Sequence, residues 1–127
     1  MIPKAHLGLR HIALFVKHFA ACQHFYVDLL QLRVVWQPDQ DNLYLSSGTD
    51  NIALHRAPAD FNPAPHQHLD HLGFFLAERE DVETWYAFLK AQGCDMKAAP
   101  KDHRDNTRSF YVADPDGNVV QMIYCPT

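Results

Sequence analysis

Leu9-Arg10-His11-Ile12-Ala13-Leu14-Phe15-Val16 has a counterpart later in the chain, Leu69-Asp70-His71-Leu72-Gly73-Phe74-Phe75-Leu76. The histidines of the two stretches lie sixty residues apart, each at the same point of an alternating apolar segment. In the first copy, Ile12, Leu14 and Val16 share one face while His11, Ala13 and Phe15 share the other, which is the period-two pattern of a strand. Matched strands in two duplicated modules can bring two neutral imidazoles to one divalent ion.

The same order of elements follows each copy. Residues 18–30 carry Phe19, Cys22, Phe25, Tyr26, Leu29 and Leu30 at three- and four-residue spacings, so a helix is expected there. Strands are expected over 32–37, 42–46 and 51–56, divided by the turn formers Pro38-Asp39-Gln40-Asp41 and Ser47-Gly48-Thr49-Asp50. The second copy repeats this with a strand over 69–77 and a helix over 81–92 bearing Val82, Trp85, Tyr86, Phe88 and Leu89. Gly93 closes that helix, and strands follow over 94–98, 107–113 and 118–125. Phe25 aligns with Trp85, Tyr26 with Tyr86 and Leu29 with Leu89, which points to internal duplication. The expected class is α+β with two tandem βαβββ modules, residues 1–57 and 68–127. Residues 58–67 hold Pro58, Pro63 and Pro65 and read as a linker; His66 within it and His68 just after it read as solvated, or as contacts at a subunit boundary. Phe19, Phe25, Trp85, Tyr86 and Phe88 are assigned to the core.

Composition narrows the partners. A chain of 127 residues with 47% hydrophobic and 20% charged content suits one globular domain. The net charge of −4, without a Lys/Arg cluster, gives no electrostatic reason to expect nucleic acid. No apolar run reaches the ~20 residues of a membrane helix, and Met1-Ile2-Pro3-Lys4-Ala5-His6 lacks the core of a signal peptide. Cys22, Cys94 and Cys125 form no CxxC pair and read as free thiols of a reducing, cytoplasmic setting.

Ahead of the last strand stands Ser109-Phe110-Tyr111-Val112-Ala113-Asp114-Pro115-Asp116-Gly117-Asn118. Its final five residues are a structural turn, with proline fixing φ and Gly117 supplying a positive one. Together with the paired modules and their first-strand histidines, this stretch resembles the vicinal oxygen chelate superfamily. That group comprises glyoxalase I, fosfomycin-resistance thiol transferases, extradiol dioxygenases and bleomycin-resistance binding proteins. The resemblance covers essentially the whole chain. It implies a curved, partly open mixed sheet or barrel around a central cavity, and one divalent metal ion of iron, manganese, nickel or zinc. Carried over by position, His11 and His71 fall on the first-strand ligand sites. Gln121 falls where the second module's glutamate stands, and Ala53 marks the empty equivalent in the first.

Glutamine can ligate through its amide oxygen but brings no charge and no general base near neutral pH. Ordinary glyoxalase I chemistry is therefore not expected. His55 shares its strand face with Ala53 and is the candidate base or fourth ligand. The resemblance also assigns Ser109 and Tyr111 to the substrate, with Tyr44 on the matching strand of the first module. The polar run Lys101-Asp102-His103-Arg104-Asp105-Asn106 is expected to be a loop, either a solvated connection or one that gates the cavity and offers His103, Arg104 or Arg108 to an anionic substrate.

The function implied is a metal-dependent enzyme for a small oxygen-chelating substrate, of lyase/isomerase, dioxygenase or thiol-transferase type. The rival is a metal-free small-molecule binding protein of the bleomycin-resistance type. A homodimer is the expected assembly, with no nucleic acid or membrane partner.

Overall fold

The alternation that opens the sequence becomes strand β1 (His11–Val16), in which Leu14 and Val16 are buried while His11, Ala13 and Phe15 lie on the open side. The structure is a computed structural model describing residues 2–126. It divides the chain into two compact units, Met1–Phe61 and Asn62–Thr127.

In the first unit β1 is followed by α1 (Phe19–Gln23) and α2 (His24–Leu29), then β2 (Arg33–Asp39), β3 (Asn42–Ser46) and β4 (Asn51–Arg56). The sheet order is β1-β4-β3-β2, with β1 parallel to β4 and the remaining pairs antiparallel. The helix expected over 18–30 is wound in two ways: α1 is α-helical, whereas α2 is a π-helix. The Leu30 amide donates to the carbonyl of Phe25, five residues back, at 2.9 Å. A π turn holds one more residue than an α turn. Phe25, Tyr26 and Leu29 are nevertheless all buried, alongside Leu43, Leu45, Ile52 and Leu54 of the sheet. Full burial of a leucine is worth about 1.5–3 kcal/mol, so these side chains hold the helix to the sheet.

The second unit repeats the plan with β5 (Leu72–Leu76), α3 (Asp81–Ala91), β6 (Asp95–Asp102), β7 (Arg108–Ala113) and β8 (Val119–Tyr124). Its sheet order is β5-β8-β7-β6, again with one parallel pair, β5 beside β8. Helix α3 packs on β6, β7 and β8. It buries Val82 and Leu89 on the side that carries Phe110, Val112, Val120 and Met122. Both sheets are open, so the chain is α+β with two βαβββ modules and sheets that do not close.

Several boundaries move. Strand β5 begins at Leu72 rather than at residue 69, leaving His71 just ahead of it. Strand β6 runs on to Asp102, so Lys101 and Asp102 pair with Ser109 and Arg108 instead of lying in a loop. Phe88 departs from the core assignment: it is 37% exposed, because α3 is three turns long and only its Val82 and Leu89 stripe faces the sheet fully. Trp85 and Tyr86 are half-buried beside it, Trp85 edge-on to Phe88 and Tyr86 edge-on to Phe110.

Candidate functional site

Strand alternation decides which side chains leave the core. In the second unit the pairs Gly73–Gln121, Tyr111–Gln121 and Ser109–Ile123 place glycine, glutamine, tyrosine and serine on the sheet face opposite α3. His71, two residues before Gly73, joins this face, and its ring stands edge-on to Tyr111 at 5.3 Å. A concavity of about 560 Å³ opens here, lined by His71, His103, Arg104, Tyr111 and Gln121 among others. The structure thus brings His71, Gln121 and Tyr111 together within one unit.

His71 and Gln121 each have one end fixed. His71 Nδ1 lies 2.7 Å from a carboxylate oxygen of Asp70. That oxygen accepts, so Nδ1 carries the proton and Nε2 keeps its lone pair. The Gln121 amide Nε2 donates to Ser109 Oγ at 2.9 Å, which leaves Oε1 as the ligating atom. Gly73 lies beside that oxygen: a Cβ at this position would stand 3.7 Å from it, in ordinary van der Waals contact. Ser109 departs from the expected contact with substrate. It is 1% exposed and does not line the concavity, since the loop after β6 covers it and His103 Nε2 sits 2.7 Å from its hydroxyl. That hydroxyl therefore fixes Gln121 and His103 from beneath.

Arg108 faces the other way. Its Nε donates to Glu83 of α3 at 2.7 Å and its Nη1 to Asp102 at 3.0 Å, which ties it to the helix side of the sheet. Asp102 also accepts from Arg79. The Arg108 guanidinium, hydrogen-bonded to Asp102, holds that carboxyl below its ordinary range. The Thr107 hydroxyl and amide do the same for Asp105.

In the first unit the open face has another character. His11 Nδ1 is 2.7 Å from Asn51 Oδ1, and His55 Nδ1 is 2.6 Å from Asn42 Oδ1, so both rings also turn a lone pair outward. His11 pairs with Asn51, and His55 lies four residues further along β4, roughly 13 Å away at strand rise. His55 is thus too far from His11 to share an ion with it inside this unit. It sits instead in a row of rings: Phe61 on Phe15 (5.7 Å), Phe15 on His55 (6.4 Å), His55 on Tyr44 (5.8 Å) and Tyr44 on Trp36 (5.0 Å). Ala53, in register with Ala13, holds the place that Gln121 holds in the second unit, and it is buried beside Tyr44.

Among the described residues, no three histidine, cysteine, aspartate or glutamate side chains gather as a metal cluster. The donor chemistry of the candidate set fits a divalent ion: His11 and His71 each present Nε2 and Gln121 presents Oε1, with every opposite atom hydrogen-bonded. Residue spacing did not reveal the groups that fix these rings. Asp70, directly before His71, was the one legible signal; Asn51, Asn42 and the Ser109–His103 bond depend on strand pairing. No helix among the described residues is long and apolar enough to cross a membrane.

A family model described as the Glyoxalase/Bleomycin resistance protein/Dioxygenase superfamily matches residues 8–122. The chain is similar to the metallothiol transferase FosB of Staphylococcus epidermidis, 28% identical over 117 residues that span 91% of this chain and 80% of the relative. Among solved structures it is similar to a glyoxalase-related enzyme from Fulvimarina pelagi, with a TM-score of 0.79 and 16% identity over 95% of this chain and 90% of that one. It is also similar to a lactoylglutathione lyase from Agrobacterium tumefaciens, with a TM-score of 0.74 and 22% identity over 95% and 96% of the two chains. At these identities the structural likeness speaks for the fold alone.

Proposed function

Because the chain belongs to the glyoxalase/bleomycin resistance protein/dioxygenase superfamily, we propose that it is a metal-dependent enzyme acting on a small oxygen-chelating substrate. The reaction is of lyase/isomerase, dioxygenase or thiol-transferase type, with His11, His71 and Gln121 as the protein ligands of one divalent ion (iron, manganese, nickel or zinc). The observation that supports this reading is the shared fixing of the three side chains, each hydrogen-bonded at the atom that would not ligate. Such outer partners set ring orientation and tautomer at metal sites.

When bound, the metal supplies Lewis acidity that polarises a substrate oxygen. The chain's own residues supply the rest. Asp70 and Ser109 hold His71 and Gln121 in place, and the Tyr111 ring forms an apolar wall with a polar tip beside them. Gln121 takes no proton near neutral pH, so any proton moved in the reaction is carried by another group. The homodimer and the cytoplasmic setting belong to the same proposal.

A second reading has its own observation in its favour. The ring row of the first unit, from Phe61 through Phe15, His55 and Tyr44 to Trp36, suits stacking of an apolar or aromatic molecule without any metal. Elemental analysis of protein purified without chelator separates the two, followed by titration with nickel, manganese, zinc and iron(II). Stoichiometric metal that disappears in the His11→Ala, His71→Ala double variant is the result expected of the enzyme. Protein that takes up none of the four ions leaves the binding-protein reading standing.

A further inference from the structure

The loop that closes over Ser109 is built rather than slack. The His103 amide donates to the Thr107 carbonyl at 2.8 Å, and the Asn106 amide donates back to the His103 carbonyl at 3.0 Å. Asn106 adopts a left-handed φ of 72°, and Asp105 accepts from both the amide and the hydroxyl of Thr107. These bonds carry the His103 ring over Ser109, where it lines the concavity together with Gln121.

The Ser109 hydroxyl has one proton to give. It accepts from Gln121 Nε2, and its other partner is His103 Nε2 at 2.7 Å. No further acceptor stands beside that hydroxyl among the described residues, so its proton goes to His103 Nε2. A neutral ring that accepts at Nε2 carries its own proton at Nδ1. Nδ1 has no hydrogen-bond partner among the described residues, and its residue lines the concavity, so a protonated Nδ1 is a donor with no acceptor from the described residues.

We propose that His103 is a substrate-contacting residue, held by Ser109 as the Nδ1–H tautomer so that it donates a hydrogen bond to an oxygen of the bound substrate. Ser109 is then a positioning residue with two tasks. It turns the carbonyl oxygen of Gln121 outward and keeps the N–H of His103 facing the same space. The proposal rests on the second-unit concavity being the substrate site, as in the reading above, but the tautomer itself requires no metal.

Long-range proton–nitrogen correlation spectra of the metal-free, nitrogen-15-labelled protein at pH 8 test it. In the unsubstituted protein, His103 is expected with Nδ1 protonated and Nε2 bare. Ser109→Ala is expected to shift the ring toward the Nε2–H form, and Ser109→Thr, which keeps the hydroxyl, to preserve Nδ1–H. Oxalate, titrated into the same sample as a probe with adjacent oxygens, is expected to move the His103 Nδ1–H signal. Its affinity is expected to fall about tenfold in His103→Ala, the scale of one hydrogen bond to a charged group. An Nε2–H ring in the unsubstituted protein, a tautomer indifferent to Ser109→Ala, or an Nδ1–H signal unmoved by oxalate overturns the proposal. Absence of metal uptake with the Nδ1–H form intact would count against the metal reading alone.

Discussion

The two sheets share a topology and a register yet present different open faces. Ala13 pairs with Ala53 as Gly73 pairs with Gln121, and Phe15 pairs with His55 as Phe75 pairs with Ile123. The first face carries a row of aromatic rings around a buried alanine; the second carries a polar concavity around a glutamine fixed by a serine. What the copies retain is on the helix side, where leucine, valine and phenylalanine are buried in both. The open sides have diverged because nothing in the core constrains them. One backbone plan can therefore hold an aromatic face in one module and a polar concavity in the other.

The largest expected effect separates the two sides of a single sheet. Phe110→Ala, at a fully buried position on the helix side, is expected to cost about 3–5 kcal/mol in denaturant unfolding. Phe75→Ala, 78% exposed on the open side, should stay within about 0.5 kcal/mol. Equal losses would mean that the open side is covered in solution.

The next test separates the two open faces. His71→Ala or Gln121→Ala is expected to lower nickel or manganese affinity more than about 100-fold by calorimetry, since even outer partners of metal ligands are worth 10–100-fold. His55→Ala should leave that affinity unchanged. A comparable loss there would place His55 among the ligands and undo the contrast between the faces.

Smaller effects sharpen it. Ser109→Ala strands the Gln121 amide in a nearly sealed position and should cost about 1–3 kcal/mol of stability. Ala53→Gln transplants the second unit's side chain into the first. It is expected to cost about 1–3 kcal/mol by overpacking and to add no metal affinity, because Ala53 is fully buried.

The smallest effect is a pH dependence. Asp102 and Asp105 have carboxyls held below their ordinary range, so the stability they contribute is present above the usual carboxylate pKa of about 3.9 and lost as pH falls through the lower folded value. Both are exposed and screened, so Asp102→Asn should flatten the acid limb of a thermal melting series only slightly.

Much of the fold was legible because alternation and turn chemistry are local. Residues 42–46 and 51–56 form strands with the expected limits, and the sixty-residue repeat marks both modules. The winding of α2 was not legible. Leu29 and Leu30 fit an α spacing equally well, and the extra residue of a π turn shows in the five-residue reach of the Leu30–Phe25 hydrogen bond. Phe88 was misplaced for a related reason: helical spacing shows that a residue is near the apolar stripe, not how far the stripe reaches. In the second-unit concavity, Gln121 and Tyr111 were readable from their places on strands and His71 from the alternation leading into β5, whereas the burial of Ser109 and the turn of Arg108 toward Glu83 were not.

By itself the amino-acid sequence determined two βαβββ modules and which strand positions carry imidazole, amide and phenol, because period-two alternation assigns a face to each residue. Only the tertiary structure decided which nitrogen of each ring is engaged, which hydroxyl is sealed beneath the floor, and which arginine is bound to the helix. Those outcomes depend on hydrogen bonds between strands and loops that are distant in the chain, and a hydrogen bond forms only where donor and acceptor are brought within about 3 Å.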